Sequence, residues 1–210
     1  MADAMEVMIL AILTPALQCQ WSLSAIQQTL ISQVVFAGII VGHLTSGRVA
    51  DRHGRKRTLI SYCSLQFVGA VASALAPNFV AMVVIRALTG IGIGGQHTGV
   101  TLYVEYLPRV RRASGILVLE LFFAAGSFLV SCVACVLMED WGWRWLLAVC
   151  SLPSGVFLIL AWWLPESARY HVGAHRVDLA ILELEAVAKQ NSGTMPPGKL
   201  ADSVPLVRAA

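Results

Sequence analysis

Between Ile26 and Leu164 the sequence consists of five apolar runs joined by short links, at 26–46, 58–76, 79–103, 113–138 and 145–164. Crossing a hydrocarbon core of about 30 Å takes a helix of about 20 apolar residues, and all five runs are long enough. A backbone inside lipid has to satisfy its own N–H and C=O groups, so each run is expected to be a helix. The fold class that follows is an all-α polytopic membrane protein. Pro77-Asn78 and Glu139–Arg144 are links so short that the helices on either side must be antiparallel neighbours.

Composition agrees with membrane insertion. Hydrophobic residues make up 57% of the chain and charged residues 13%, with a mean hydropathy of +0.72. Soluble domains carry charge on roughly a quarter of their residues. The net charge of +3 is gathered in the links. Arg48, Arg52, Arg55, Lys56 and Arg57 lie between the runs at 26–46 and 58–76, Arg109, Arg111 and Arg112 follow the run at 79–103, and five more cations follow Leu164. The opposite side has Arg144 alone. This asymmetry predicts that the basic links and the C-terminus are cytoplasmic. No basic arm with interleaved aromatics suggests nucleic acid as a partner. The N-terminus has Asp3 and Glu6 but no cation before its apolar run, unlike a signal peptide.

Chemistry-bearing motifs are few. Cys132-x-x-Cys135 sits in LVSCVACVLM without a second pair, so it reads as small packing residues rather than a metal site. Gly90-Ile-Gly92-Ile-Gly94-Gly95 lies inside a span and lacks the strand and spacing of a dinucleotide fingerprint. Gly90/Gly94 and Gly95/Gly99 read as small-xxx-small packing pairs, and Gly38, Gly42 and Ser46 form a similar stripe. Trp141, Trp143 and Trp145 read as an interfacial belt with Arg144 snorkelling between them. Neither a nucleophile–base pair nor a ligand cluster is apparent, so no enzyme activity, cofactor or metal is expected.

The most patterned link is GRVADRHGRKR at 47–57. Gly47 before the acid would let two helix ends approach, and Gly54 would permit the turn between them. Asp51 would cap the following helix or pair with an arginine from elsewhere in the bundle. Arg52, Arg55 and Lys56 complete a link suited to latching helices together and releasing them.

Two ends depart from regularity. The first apolar run, about Val7–Leu17, is short. Taken as a span over about 1–18, it buries Asp3 and Glu6 and resembles the outer part of a truncated helix. Residues 1–168 are expected to form the membrane unit. Residues 169–210 are expected to form a cytoplasmic tail with an amphipathic helix at about 176–190, ended by the glycine and prolines of NSGTMPPG.

Charges inside spans are expensive, at about 2.5–3.5 kcal/mol on insertion scales. Asp3 and Glu6 lie three apart on one helix face, Arg86 about two turns into the span at 79–103, and Glu120 about two turns into the span at 113–138. Two readings stand beside each other: a structural ion-pair set, or a solute- or proton-responsive set facing a cavity, with Glu120 alternatively holding an interface. His97 is either a satisfied bundle residue or a proton relay.

GRVADRHGRKR resembles the link 2–3 signature of the major facilitator superfamily. Glu105–Arg112 and Pro165–Arg169 resemble segments of its sugar-porter-like members. TLYVEYLP, WGWRWLL, WLPESARY and MPPGKL resemble the synaptic-vesicle-2-related proteins. Ala113 and Ala168 depart from the sugar-porter pattern, so a small organic solute is implied without a sugar being specified. The resemblance implies a six-helix N-terminal half-bundle of two inverted three-helix repeats, whose missing C-terminal half comes from elsewhere or from a second copy. It implies a secondary active, alternating-access transporter of the plasma or a vesicle membrane, with a proton as candidate co-substrate. Spans 1 and 4 line the cavity in that family, which assigns Asp3, Glu6 and Arg86 to it. Asp51, Arg52, Arg55, Glu105, Arg112, Glu166 and Arg169 would form a cytoplasmic gate. The rival expectation is a non-transporting membrane scaffold or truncated pseudo-transporter acting through protein–protein contacts.

Overall fold

The structure is a computed structural model and describes residues 1–190; the end of the expected tail, MPPGKL included, lies outside the described residues. Helix α1 covers Ala2–Trp21 and α2 Ala25–His53. Ser24 starts α2 with a capping box, accepting from the Gln27 amide while the Gln27 side chain accepts from the Ser24 amide. Helix α3 (Arg55–Ala74) follows across Gly54, and α4 (Phe79–Gly95) begins at Asn78, whose side chain accepts from the Ala81 N–H at 2.9 Å. Next come α5 (His97–Tyr106), a 3₁₀ turn at Arg109–Arg111, α6 (Arg112–Asp140) and α7 (Gly142–Ala161). Two short helices, α8 (Ala168–Gly173) and α9 (Val177–Gln190), finish the described chain.

Five helical units are long and apolar enough to cross a membrane: α1, α2, α4 with α5, α6 and α7. This differs from expectation twice. Helix α1 continues to Trp21, and its 20 residues reach about 30 Å at helical rise. Helix α3 is not among the five, because Ser61, Tyr62, Ser64, Gln66 and Ser73 dilute its hydropathy. The expected span at 79–103 is also divided: Gln96 forms a turn between α4 and α5, immediately after Gly94-Gly95.

The core follows a stripe on α1. Met5, Ile9, Leu13 and Leu17, four residues apart, share one helix face and are buried against Ile31 and Val35 of α2, Met82 of α4, Val130 and Ala134 of α6, and Leu146 and Leu147 of α7. The outward faces are apolar too: Leu117, Leu121, Phe128 and Val136 of α6 are each at least 65% exposed. Such a surface suits lipid as its solvent.

Helices α2 and α4 meet through glycines. A Cβ on Gly42 would lie 3.0 Å from Gly94 Cα and closer still to the Ile91 carbonyl oxygen, and one on Gly38 would lie 3.1 Å from Gly90 Cα. Backbones pack directly there, as small-residue interfaces allow. Gly47 does not share this role. It lies exposed within α2 with nothing within 4 Å of a Cβ, so the close approach expected of it is made a turn and more earlier in the helix.

Three further expectations are corrected. Trp143 is buried, its indole N–H donates to Gln20 Oε1, and its ring meets Trp21 edge-on; of the three tryptophans expected in the belt, Trp141 and Trp145 are exposed. Arg144 does not snorkel freely: it lies 4.6 Å above the Trp143 ring and donates to the Ala76 carbonyl at 3.4 Å. Cys132 and Cys135 lie on the exposed face of α6 rather than in the packed interior.

The glycine contacts make a paired prediction. Gly94→Leu should destabilise the detergent-solubilised protein by 1–3 kcal/mol or more, through overpacking. Gly47→Ala should be neutral or stabilising by about 0.5–1 kcal/mol, as alanine is in an open helical position. Thermal unfolding followed by size-exclusion chromatography measures both.

Candidate functional site

Two polar clusters stand out, one inside the bundle and one at its basic end. In the first, Arg86 of α4 and Glu6 of α1 are both fully buried, and Arg86 Nη1 donates to Glu6 Oε2 at 2.9 Å. The pair exists because α4 places Arg86, its one charged residue, on its inner face and α1 places Glu6 opposite it. Asp3, one turn before Glu6, faces inward as well. Glu6 Oε1, Asp3 Oδ1, and Arg86 Nε and Nη2 have no hydrogen-bond partner among the described residues. A buried polar atom left without a partner costs about 1–3 kcal/mol, so the cluster has unused capacity to bind polar groups.

Sequence reasoning missed Gln66 of α3 and Ser154 of α7, both fully buried and both with unpartnered side-chain atoms. The Gln66 side chain faces Asp3, and the Gln66 backbone lies against Gly92, where a Cβ would stand 2.8 Å from Gln66 Cα. Gly155, next to Ser154, packs on the Phe67 ring. A lone amide within an apolar run was the available signal for Gln66. Ser154 gave none, since serine is common in transmembrane helices.

His97 and Glu120 are not brought into this cluster. His97 is exposed on α5 and stacks edge-on against His43 of α2, with ring centroids 4.3 Å apart. Glu120 is exposed on α6. Of the residues expected together from sequence, the structure gathers Asp3, Glu6 and Arg86 and leaves His97 and Glu120 apart.

The second cluster ties the 2–3 link to the segment after α7. Glu166 Oε1 accepts from three backbone N–H groups, those of Arg55 (2.8 Å), Lys56 (2.9 Å) and Ser167 (3.0 Å). It thereby caps α3, a helix without a side-chain cap of its own, and places a carboxylate at the positive end of the helix dipole. Asp51, expected to cap that helix, is instead exposed at the end of α2. The cap depends on Gly54, whose φ of +99° suits glycine and whose missing Cβ would collide with the Glu166 carboxylate and the Tyr170 ring.

Glu105 is held from two sides. Its Oε1 pairs with the Arg55 guanidinium, and its Oε2 accepts from Ser167 Oγ at 2.6 Å. Arg169 stands 4.0 Å away and is mostly exposed. Burial lowers the Arg55 pKa from its ordinary value, as does Arg169, while Asp51 and Glu166 oppose the shift. Lys56 Nζ donates to the Trp162 carbonyl at 2.8 Å, Tyr106 Oη donates to the Glu166 carbonyl, and Tyr170 Oη donates to the Arg52 carbonyl at 3.4 Å. Arg112 does not pair with Glu105: its Nε donates to the Leu107 carbonyl at 3.3 Å. The Arg52 side chain is exposed. Ser167, Tyr106 and Tyr170 were not legible as members of this cluster, because hydroxyls become clamp partners only once the fold apposes three segments.

The described residues thus form a bundle of membrane-length helices with an ion pair buried between α1 and α4 and a charged clamp at one end, the build of a polytopic membrane protein. Comparison with known proteins agrees. The family model "Sugar (and other) transporter" matches residues 5–196, and the chain belongs to that family of the major facilitator superfamily. Synaptic vesicle 2-related protein of Xenopus laevis is 44% identical over 201 residues, covering 95% of this chain and 36% of that protein. Organic cation/carnitine transporter 7 of Arabidopsis thaliana is 37% identical over 203 residues, covering 97% and 41%. The xylose transporter XylE from E. coli, in a partially occluded inward-open conformation, superposes with a TM-score of 0.80 at 20% identity, over 91% of this chain and 53% of that one. The chain thus spans about two fifths of the length of these curated relatives. The fold is the N-terminal half of the superfamily's bundle, and the family is one of multi-pass integral membrane proteins.

Each cluster carries a prediction. Glu6→Gln leaves Arg86 buried without a counter-charge and should destabilise the protein by about 3–5 kcal/mol, whereas Glu6→Gln combined with Arg86→Met should recover most of that loss. Glu166→Ala should cost about 0.5–2 kcal/mol through the lost cap, and Glu166→Gln, which keeps an accepting oxygen, distinctly less. Thermal unfolding in detergent measures both series.

Proposed function

We propose that this chain is the N-terminal half of a secondary active transporter for a small organic solute, working by alternating access against a second six-helix half. The observation that carries the reading is the buried Glu6–Arg86 pair, with its spare donor and acceptor atoms, between α1 and α4. Lipid-spanning helices rarely keep such charges without a functional use. In this reading Arg86, Glu6 and Asp3 respond to solute or to a coupled proton, since either event changes the charge balance that Arg86 has to meet. Residues 1–168 form the membrane unit, and 169–210 a tail on the cytoplasmic side with the basic links. Family membership and the likeness to named solute transporters support transport as the activity.

The basic-end clamp would act as the gate. Glu166 and Glu105 draw together α3, α5 and the segment after α7, and breaking those contacts frees the helix ends to separate. Exposed ion pairs contribute little one by one. A cap and a partly buried pair acting together bias a two-state equilibrium by a few kcal/mol, enough to set which side is open.

The test is solute uptake by proteoliposomes holding the complete transporter that contains this half, with a panel of organic cations, organic anions and sugars. Arg86→Ala should abolish uptake at unchanged membrane abundance. Arg55→Ala, which releases Glu105, should alter the rate of uptake without changing which solute is taken. Uptake of no solute by the wild type, or full uptake by Arg86→Ala, would contradict the proposal and favour a membrane scaffold.

A further inference from the structure

Beside the clamp, α5, the start of α6 and α8 enclose an open groove of about 270 Å³, lined by Val100, Thr101, Val104, Glu105, Arg112 and Arg169. That is smaller than the 300–1,000 Å³ or so that drug-sized ligands occupy, and its charge is one-sided. The Glu105 carboxylate is already committed to Arg55 and to the Ser167 hydroxyl. Arg112 uses only Nε, toward the Leu107 carbonyl, and Arg169 is 71% exposed with a single 4.0 Å approach to Glu105. Two guanidinium groups therefore stand in excess at the groove, with the exposed Arg111 adjoining. The apolar part of the lining is Val100 and Val104 of α5, and Ile116 and Leu117, in the first turns of α6 after Arg112, are exposed. A cationic mouth joined to an apolar wall, at the border between a membrane span and its link, matches an amphiphile with an anionic head.

We propose that this groove seats the phosphate headgroup of an anionic phospholipid, held by Arg112 and Arg169, with its acyl chains along the outward faces of α5 and α6. Guanidinium groups grip phosphate oxygens in pairs, and basic pockets between spans on the cytoplasmic side hold anionic headgroups. The inference rests on the orientation given above, in which the basic end faces the anionic leaflet. Because Arg169 also approaches Glu105, a bound headgroup would draw on the same cation as the clamp and so link lipid composition to the gate.

The experiment is thermal unfolding of the purified 210-residue chain in a neutral detergent, titrated with short-chain phosphatidylglycerol, short-chain phosphatidylcholine or inorganic phosphate. Phosphatidylglycerol is expected to raise the unfolding midpoint saturably, and phosphatidylcholine not to. Arg112→Gln with Arg169→Gln should weaken the phosphatidylglycerol response at least tenfold. Should the double variant fail to fold, Arg169→Gln alone, at an exposed side chain, decides the matter by a weakened response. Equal responses to the two lipids, an undiminished response in the folded variant, or a full response to inorganic phosphate alone would each overturn the proposal. The readout is binding, so it is independent of whether uptake is found; a missing lipid response alongside active uptake would sink this inference and leave the transport reading intact.

Discussion

A guanidinium buried among Leu, Ile, Met and Val side chains has to be met by an anion, and that requirement shapes this bundle. Arg86 sits in α4 with 1% exposure, and the residue that answers it is eighty positions away, Glu6 of α1. In a low-dielectric interior the two charges attract strongly, but each has given up its hydration, so the pair is a poor source of net stability. Its effect is on position. Given Arg86, α1 has to lie where Glu6 can reach it, and the stripe Met5, Ile9, Leu13 and Leu17 then packs against α2, α4, α6 and α7.

The glycine seam sets the opposite requirement. Along α2 and α4, backbone meets backbone at Gly38, Gly42, Gly90 and Gly94. Such a contact involves no charge to be rearranged and leaves little room for sliding. The half-bundle thus combines one rigid crossing, α2 on α4, with one charged crossing, α1 on α4. The turn at Gln96 separates α4 from α5, which carries Glu105, just past the rigid seam.

Helix positions were largely legible in the sequence because apolar run length and lipid thickness leave few choices. Links were legible where a residue type has one dominant use, as Gly54 has at the turn between α2 and α3; the caps Ser24 and Asn78 emerged only with the structure. The break at Gln96 was not, since Gly94-Gly95 supports either a packing seam or a turn. Glu6 and Arg86 could be singled out by the cost of burying charge, but their pairing depends on how α1 and α4 lie together. Asp51 against Glu166 is the instructive failure. A carboxylate next to a helix start in sequence is the obvious cap, yet the one used comes from more than a hundred residues away. Sequence distance carries no information about which anion the folded chain delivers to a helix end. His97 and Glu120 show the same limit, for a polar residue inside a span does not reveal which face it occupies.

The pairing of α1 with α4 is tested most directly by reversing its charges. Glu6→Arg and Arg86→Glu, each made alone, would put like charges face to face inside the bundle, and each should fail to give a monodisperse, folded protein. Made together, they restore an ion pair in the opposite sense and should recover a cooperative unfolding transition close to that of the wild type. If either single reversal folds as well as the double, or if the double is no better than the worse single, the Glu6–Arg86 contact does not hold these two helices together.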